Sequence, residues 1–286
     1  MKIKLLFVLI LYCSISEAIA RQEPARLLID SLYDLGNQLT FRGDLDGSLT
    51  FYEQARSLAF EHQSWKQYFN CEEQIVQVLW QQYKTQESIR RSELAIQLAR
   101  EKMGEKSLQE ANFYAQIGVA CMLESKLDSS ILNFNRSILL LEPYADKGHE
   151  TKVFVLGNLG ASHYWSGDLN EALSTMIRAN ELTKLEKRTD TVTKAEGLAN
   201  IGVMYLEKGM YQLTLDYYLR AYDLMKAINY TGENYTKLLS NIGALYLKYD
   251  EFDKSFRYRL PVVQFRLYVH GDGRSERCKK DPLRID

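Results

Sequence analysis

Apolar residues recur along the chain at helical spacing, in paired stripes separated by short polar breaks. Around Gly202 one stripe runs through Leu198, Ile201, Gly202 and Tyr205 and stops at Gly209. A second follows through Leu213, Leu215, Tyr218, Leu219, Ala221, Tyr222 and Met225. Intervals of three and four place each set on one face of a helix, so the pattern predicts a pair of helices joined by a turn. The pair returns along the sequence. Ala115-Gln116-Ile117-Gly118-Val119, Gly157-Asn158-Leu159-Gly160-Ala161, Ala199-Asn200-Ile201-Gly202-Val203 and Ser240-Asn241-Ile242-Gly243-Ala244 are copies, and Asp34-Leu35-Gly36-Asn37 is a looser one. From Gly118 the marker glycines step by 42, 42 and 41 residues. The 82 residues between Gly36 and Gly118 leave room for one more unit, with Val76 at the glycine position.

A second marker keeps the same register. Nineteen residues after each glycine position stand Ala55, Ala95, Ser137, Ala179 and Ala221, all small. Three residues before these stand Tyr52, Ser92, Phe134, Met176 and Tyr218, mostly bulky. Two marker sets in one register through five units establish an internal repeat. The small residue of the first helix admits its partner closely, the small residue of the second admits the next unit, and the bulky residue fills the space between. Neither helix buries its stripe alone, so the units must stack. The spacing gives six units, near residues 29–68, 69–110, 111–152, 153–194, 195–235 and 236–268.

These residues resemble the tetratricopeptide repeat family. The resemblance rests on the Leu/Ile-Gly pair, the aromatic three residues on, a Gly-Asp turn, and the bulky and small positions of the second helix. Tyr164-Trp165-Ser166-Gly167-Asp168-Leu169-Asn170-Glu171-Ala172 and Phe41-Arg42-Gly43-Asp44-Leu45 carry that turn most plainly. The period exceeds the family's usual 34 and is similar to the longer subclass of kinesin light chains and of exported or signalling bacterial proteins. Glu101-Lys102-Met103-Gly104-Glu105-Lys106-Ser107 is similar to that subclass's inter-repeat loop. The resemblance implies an all-α, right-handed α-solenoid of about six helix–turn–helix units, covering roughly residues 29–266.

Both ends depart from the repeat. Lys2 and Lys4, the apolar run Leu5–Cys13 and the closing Ala18-Ile19-Ala20 have the three parts of a secretory signal. Cleavage after Ala20 is expected, leaving a periplasmic or extracellular protein with a net charge of −2. At the other end Arg259 takes the bulky position, Pro261 falls where the helix should continue, and residues 269–286 carry no apolar period. This tail is either a natural irregular terminus or the mark of a truncated or shifted reading frame. An incompletely capped last unit is expected to expose Leu245, Tyr246 and Tyr249.

Composition narrows the classes. Four prolines and 16 glycines in 286 residues argue against a turn-rich β fold, and 46% apolar residues suffice for a sizeable core. A formal net charge of −1 gives no general attraction to nucleic acid. Cys71, Cys121 and Cys278 show no ligand or disulfide spacing, and none of the four histidines sits in a metal motif. There is no phosphate loop, nucleophile elbow or kinase signature. Pairs such as Glu72-Glu73 read as solvated helix faces. Neither enzyme activity nor a metal or cofactor is expected. Three Asn-x-Ser/Thr sequons, at Asn135, Asn229 and Asn234, read as coincidental, with the last two placed in an inter-repeat loop.

One constellation remains. Asn158, Asn200 and Asn241 stand two residues before their glycines, with Gln116 as a longer analogue. The resemblance places this position on the concave groove, where a carboxamide donates to and accepts from the backbone of an extended peptide whatever its sequence. The alternative is that these residues cap or bridge neighbouring helices. Seven residues further on stand Trp165, Glu207 and Lys248, which vary as side-chain selectors would, and Trp165 is the natural anchor. Two functions follow: a non-catalytic scaffold for a protein or peptide ligand, or the sensory region of a larger signalling protein. The resemblance implies that the latter would continue into a histidine kinase, a transcriptional regulator or a caspase-like peptidase.

Overall fold

A computed structural model describes residues 23–144, 148–185 and 190–260. The expected signal segment, Pro261 and the tail lie outside them. Twelve helices are described, with no strand among them: α1 (23–41), α2 (Leu45–Glu61), α3 (Trp65–Gln81), α4 (Thr85–Met103), α5 (Leu108–Leu123), α6 (Leu127–Leu141), α7 (His149–Trp165), α8 (Leu169–Leu185), α9 (Thr191–Glu207), α10 (Tyr211–Ala227), α11 (Glu233–Lys248) and α12 (252–260). They form six consecutive pairs, an all-α helical-repeat solenoid. The α3 helix begins at Trp65, inside the segment that spacing assigned to the preceding unit. The chain divides into two compact units, residues 1–151 and 152–286.

Each pair turns in the same way. Seven residues after the marker position the backbone enters the left-handed region, at Gly43, Tyr83, Ser125, Gly167, Gly209 and Asp250. The next N–H then bonds five residues back, as Asp44 to the Leu39 carbonyl and Lys126 to that of Cys121, closing the first helix with a Schellman-type stop. Where the turn is Gly-Asp, the aspartate also caps the following helix: Asp44 accepts from Gly47 N at 3.0 Å and Asp168 from Glu171 N at 3.2 Å.

The marker glycines are close approaches. A Cβ on Gly118 would lie 2.7 Å from the Phe134 ring, one on Gly202 2.6 Å from that of Tyr218, and one on Gly160 2.8 Å from Met176 Cγ. Each bulky side chain therefore sits flat on bare backbone. In the second unit Val76 stands at the glycine position and Ser92 at the bulky one, and both are fully buried. A third marker is a small, buried residue twelve positions after the glycine. Ser88, Ser130 and Ser255 there donate to the carbonyls of Val76, Gly118 and Gly243 at 3.2, 2.9 and 2.8 Å, tying the pair together.

Two expectations are corrected. Leu245 and Tyr246 are buried, not exposed, because α12 docks in register: Ser255 holds Gly243, the Arg259 stem packs over that glycine, and Tyr258 stacks on Tyr246 at 5.6 Å. Tyr249 is the one of the three that stays open, at 40% exposure. Asn234 stands in the first turn of α11, not in a loop, and its amide donates to Glu196. Asn229 does lie in a turn, in the left-handed region that asparagine tolerates.

Candidate functional site

In residues 152–260 the marker-glycine helices are α7, α9 and α11. Tyr164 on α7 donates to Glu207 on α9 at 3.4 Å, and Asn234 on α11 donates to Glu196 on α9 at 2.6 Å. These bridges set the three helices side by side, with the asparagines one repeat apart. Asn200 and Asn241 are exposed, and neither makes a side-chain hydrogen bond among the described residues. Asn158 is partly exposed and turns its amide to the Phe154 carbonyl of its own helix at 2.9 Å, leaving its side-chain oxygen as an acceptor.

Beside Asn241 lies a buried polar group without a partner. The Tyr218 side chain is 1% exposed, because its ring covers Gly202, and its hydroxyl makes no hydrogen bond. The Asn241 carboxamide faces it without reaching bonding geometry. Burial pushes the phenol up to about 12, the adjacent Asn241 side chain opposes the shift, and Glu207 and Tyr164 add to it. An unbonded buried hydroxyl is costly.

The varied positions are placed unequally. Trp165 is 57% exposed at the end of α7, an open aromatic surface. Glu207 is exposed and shares one oxygen with Tyr164. Lys248 is exposed but lies 3.6 Å from the Tyr211 ring centroid, so its ammonium is already in contact with an aromatic face.

Gln116 stands in a different chemistry. It is 5% exposed, its Oε1 accepts from Trp80 Nε1 at 2.9 Å, and its Nε2 approaches Glu73 Oε1 at 3.5 Å. Asn112, one turn earlier, donates to Glu73 Oε2 at 3.0 Å and accepts from Thr151 at 3.3 Å. Glu72 and Glu73 are not solvated faces. Glu72 is 4% exposed and paired with Arg91 through 2.7 and 3.0 Å bonds and with Arg56 at 3.4 Å. Sequence reading missed Trp80, Asn112 and Glu73. Their available signal was a set of polar residues one repeat apart on apolar-rich helices.

Among the described residues, no group of three or more His, Cys, Asp or Glu side chains is placed to hold a metal, and no helix is long and apolar enough to cross a membrane. Cys71 and Cys121 are buried free thiols.

No protein-family model matches the chain, and no curated protein matches it. Solved structures do. BtubC (BKLC) from P. vanneervenii superposes with a TM-score of 0.63 at 18% identity, covering 77% of this chain and 90% of that one. PilF of Pseudomonas aeruginosa gives 0.58 at 13%, covering 87% and 95%. A signal transduction ATPase with numerous domains from Pyrococcus horikoshii, which has a tetratricopeptide repeat sensor, gives 0.63 at 14%, covering 85% of this chain and 35% of that one. At these identities the likeness defines the fold: the chain is similar to tetratricopeptide-repeat scaffolds.

Proposed function

We propose that the chain is a non-catalytic scaffold that binds an extended segment of a protein along α7, α9 and α11. The observation that carries the reading is the pair Asn200 and Asn241, exposed and one repeat apart, Asn200 with no side-chain bond among the described residues and Asn241 beside the Tyr218 hydroxyl. A carboxamide can bond a peptide's N–H and C=O together, so two at this spacing hold a strand without reading its side chains. Trp165 offers the apolar anchor. Glu207 and Lys248 then bias which side chains are accepted.

A random linear peptide library panned against residues 21–286 tests this. Selected peptides should bind the Asn200→Ala/Asn241→Ala variant at least tenfold more weakly, since each lost peptide bond pair is worth roughly 1 kcal/mol or more. Equal binding to both proteins contradicts the reading.

A second reading has one observation behind it. In the Pyrococcus protein the repeats serve as the sensor of a much longer chain. The scaffold would then be the recognition part of a signalling protein. An open reading frame encoding an effector beyond codon 286 supports it, and closed frames reject it. The N-terminal charge and apolar pattern support export with cleavage near Ala20, which N-terminal sequencing of the protein from culture medium or periplasm would test.

A further inference from the structure

Neighbouring carboxylates on α3 are treated in opposite ways. Glu72 is answered by two guanidinium groups, and Glu110, at 3% exposure, by Arg100. Glu73, partly exposed, has no cation within 4 Å among the described residues. It has amides instead, and their orientation is fixed. The Trp80 indole can only donate, so it takes Gln116 Oε1 and turns Nε2 toward Glu73. The Thr151 hydroxyl takes Asn112 Oδ1 and turns Nδ2 the same way. One N–H donor thus approaches each carboxylate oxygen, an arrangement suited to the ionised form, while burial pushes the carboxyl above its ordinary range. The result is a carboxyl group held by two amides with no cation beside it among the described residues. Its surroundings include the indole of Trp80 and the phenol of Tyr33, which burial, Tyr52 and this carboxylate together push up to about 12.

A metal ion does not fit this cradle. The amide oxygens are already engaged, the amide nitrogens present hydrogens, and a hard cation needs about six oxygens. A carboxylate held by two amides and lacking a cation suits an organic cation, through charge-assisted hydrogen bonds.

We propose that Glu73, held by Asn112 and by Gln116, which Trp80 in turn orients, receives the alkylammonium or guanidinium group of a basic residue in the bound polypeptide. The site lies within residues 1–151, apart from the asparagines of α9 and α11. It depends on the scaffold reading only in taking the cation to belong to a polypeptide.

The Trp80 indole N–H resonance is the reporter, assigned with Trp80→Phe, with Trp165 as an internal control in the other unit. The probes are Ac-Gly-Lys-Gly-NH2, Ac-Gly-Arg-Gly-NH2, the norleucine analogue and butylammonium. A saturable shift of the Trp80 signal with at least one basic peptide, at an affinity of about 1 mM, is expected. The norleucine peptide should give none, and Glu73→Gln should lose the response while its spectrum stays folded. Asn200→Ala/Asn241→Ala should leave it unchanged, which separates this site from the asparagine face. Tighter binding of the peptides than of butylammonium supports a polypeptide source. Equal binding keeps the cation site and overturns the polypeptide part of the proposal. No saturable shift with either basic peptide, or a shift that survives Glu73→Gln, overturns the site itself.

Discussion

Gln116 and Asn200 occupy the same position, two residues before the marker glycine of their helices, yet their carboxamides have different fates. Gln116 is buried between Trp80 and Glu73, whereas Asn200 stands in solvent with nothing bonded to it. The contrast extends through each unit. Residues 23–151 hold a connected ion network of Glu53, Arg56, Glu72 and Arg91, the buried Glu110 with Arg100, and the relay from Trp80 to Thr151. Residues 152–260 hold exposed pairs three or four residues apart, such as Lys184–Glu181, Arg220–Asp216 and Lys237–Glu233. Their aromatic contacts are tyrosine pairs, Tyr205 with Tyr217 and Tyr222 with Tyr235. One repeat design thus supports two uses of polar side chains. In the first unit buried carboxylates and amides join helices, whereas in the second the helix-joining bonds, such as Tyr164–Glu207 and Asn234–Glu196, are exposed and the asparagine at the Gln116 position stays available.

The largest effect should come from breaking the ion network. Arg91→Met removes both short bonds to Glu72 and leaves that buried carboxylate with Arg56 alone at 3.4 Å. A loss of about 3 kcal/mol in urea denaturation is expected, near the low end for an unpaired buried charge. No exposed pair of the second unit should cost more than about 1 kcal/mol when broken in the same assay.

Packing sharpens the comparison next. Gly118→Ala pushes a methyl into a rigid Phe134 ring, and a net loss of about 1–2 kcal/mol is expected even after the gain in helix propensity. Gly160→Ala meets the flexible Met176 side chain and should be close to neutral. Equal losses in thermal unfolding would mean the two cores are equally stiff.

The smallest effect is a pH dependence of opposite sign to the usual carboxylate case. The Glu73 carboxyl is raised, so the folded state binds its proton more readily than the unfolded state. Its unfavourable contribution is full above the raised value and is relieved as pH falls through it. Stability of wild type relative to Glu73→Gln should therefore increase as pH is lowered from 7 toward the ordinary carboxylate range, measured by urea denaturation at a series of pH values.

Most of the fold was legible because each unit repeats a steric demand that only certain residues meet. Gly36, Gly118, Gly160 and Gly202 lie bare under Tyr52, Phe134, Met176 and Tyr218, and Val76 and Ser92 at the same two positions are both buried. The small residue twelve positions on was visible in principle but passed unread, because Ser48, Ser88, Ser130, Ala172, Thr214 and Ser255 vary in chemistry and share only size. Unit six was judged by Arg259, whose charge hid an aliphatic stem that fills the bulky position. The asparagine positions could be read from spacing, and their exposure could not. Glu72 and Glu73 show why. Their partners Arg91, Asn112 and Gln116 lie 19 to 43 residues away, and a local window reads adjacent glutamates as a wet surface.

The unfolding free energies of Gln116→Ala and Asn200→Ala, compared by urea denaturation, test the division between the two units most directly. Gln116→Ala strips the Trp80 indole and one side of Glu73 of their partner, and a loss of about 1–3 kcal/mol is expected. Asn200→Ala removes an exposed group that bonds to nothing and should change stability by less than about 0.5 kcal/mol. Equal losses, or a larger loss at Asn200, would contradict the account.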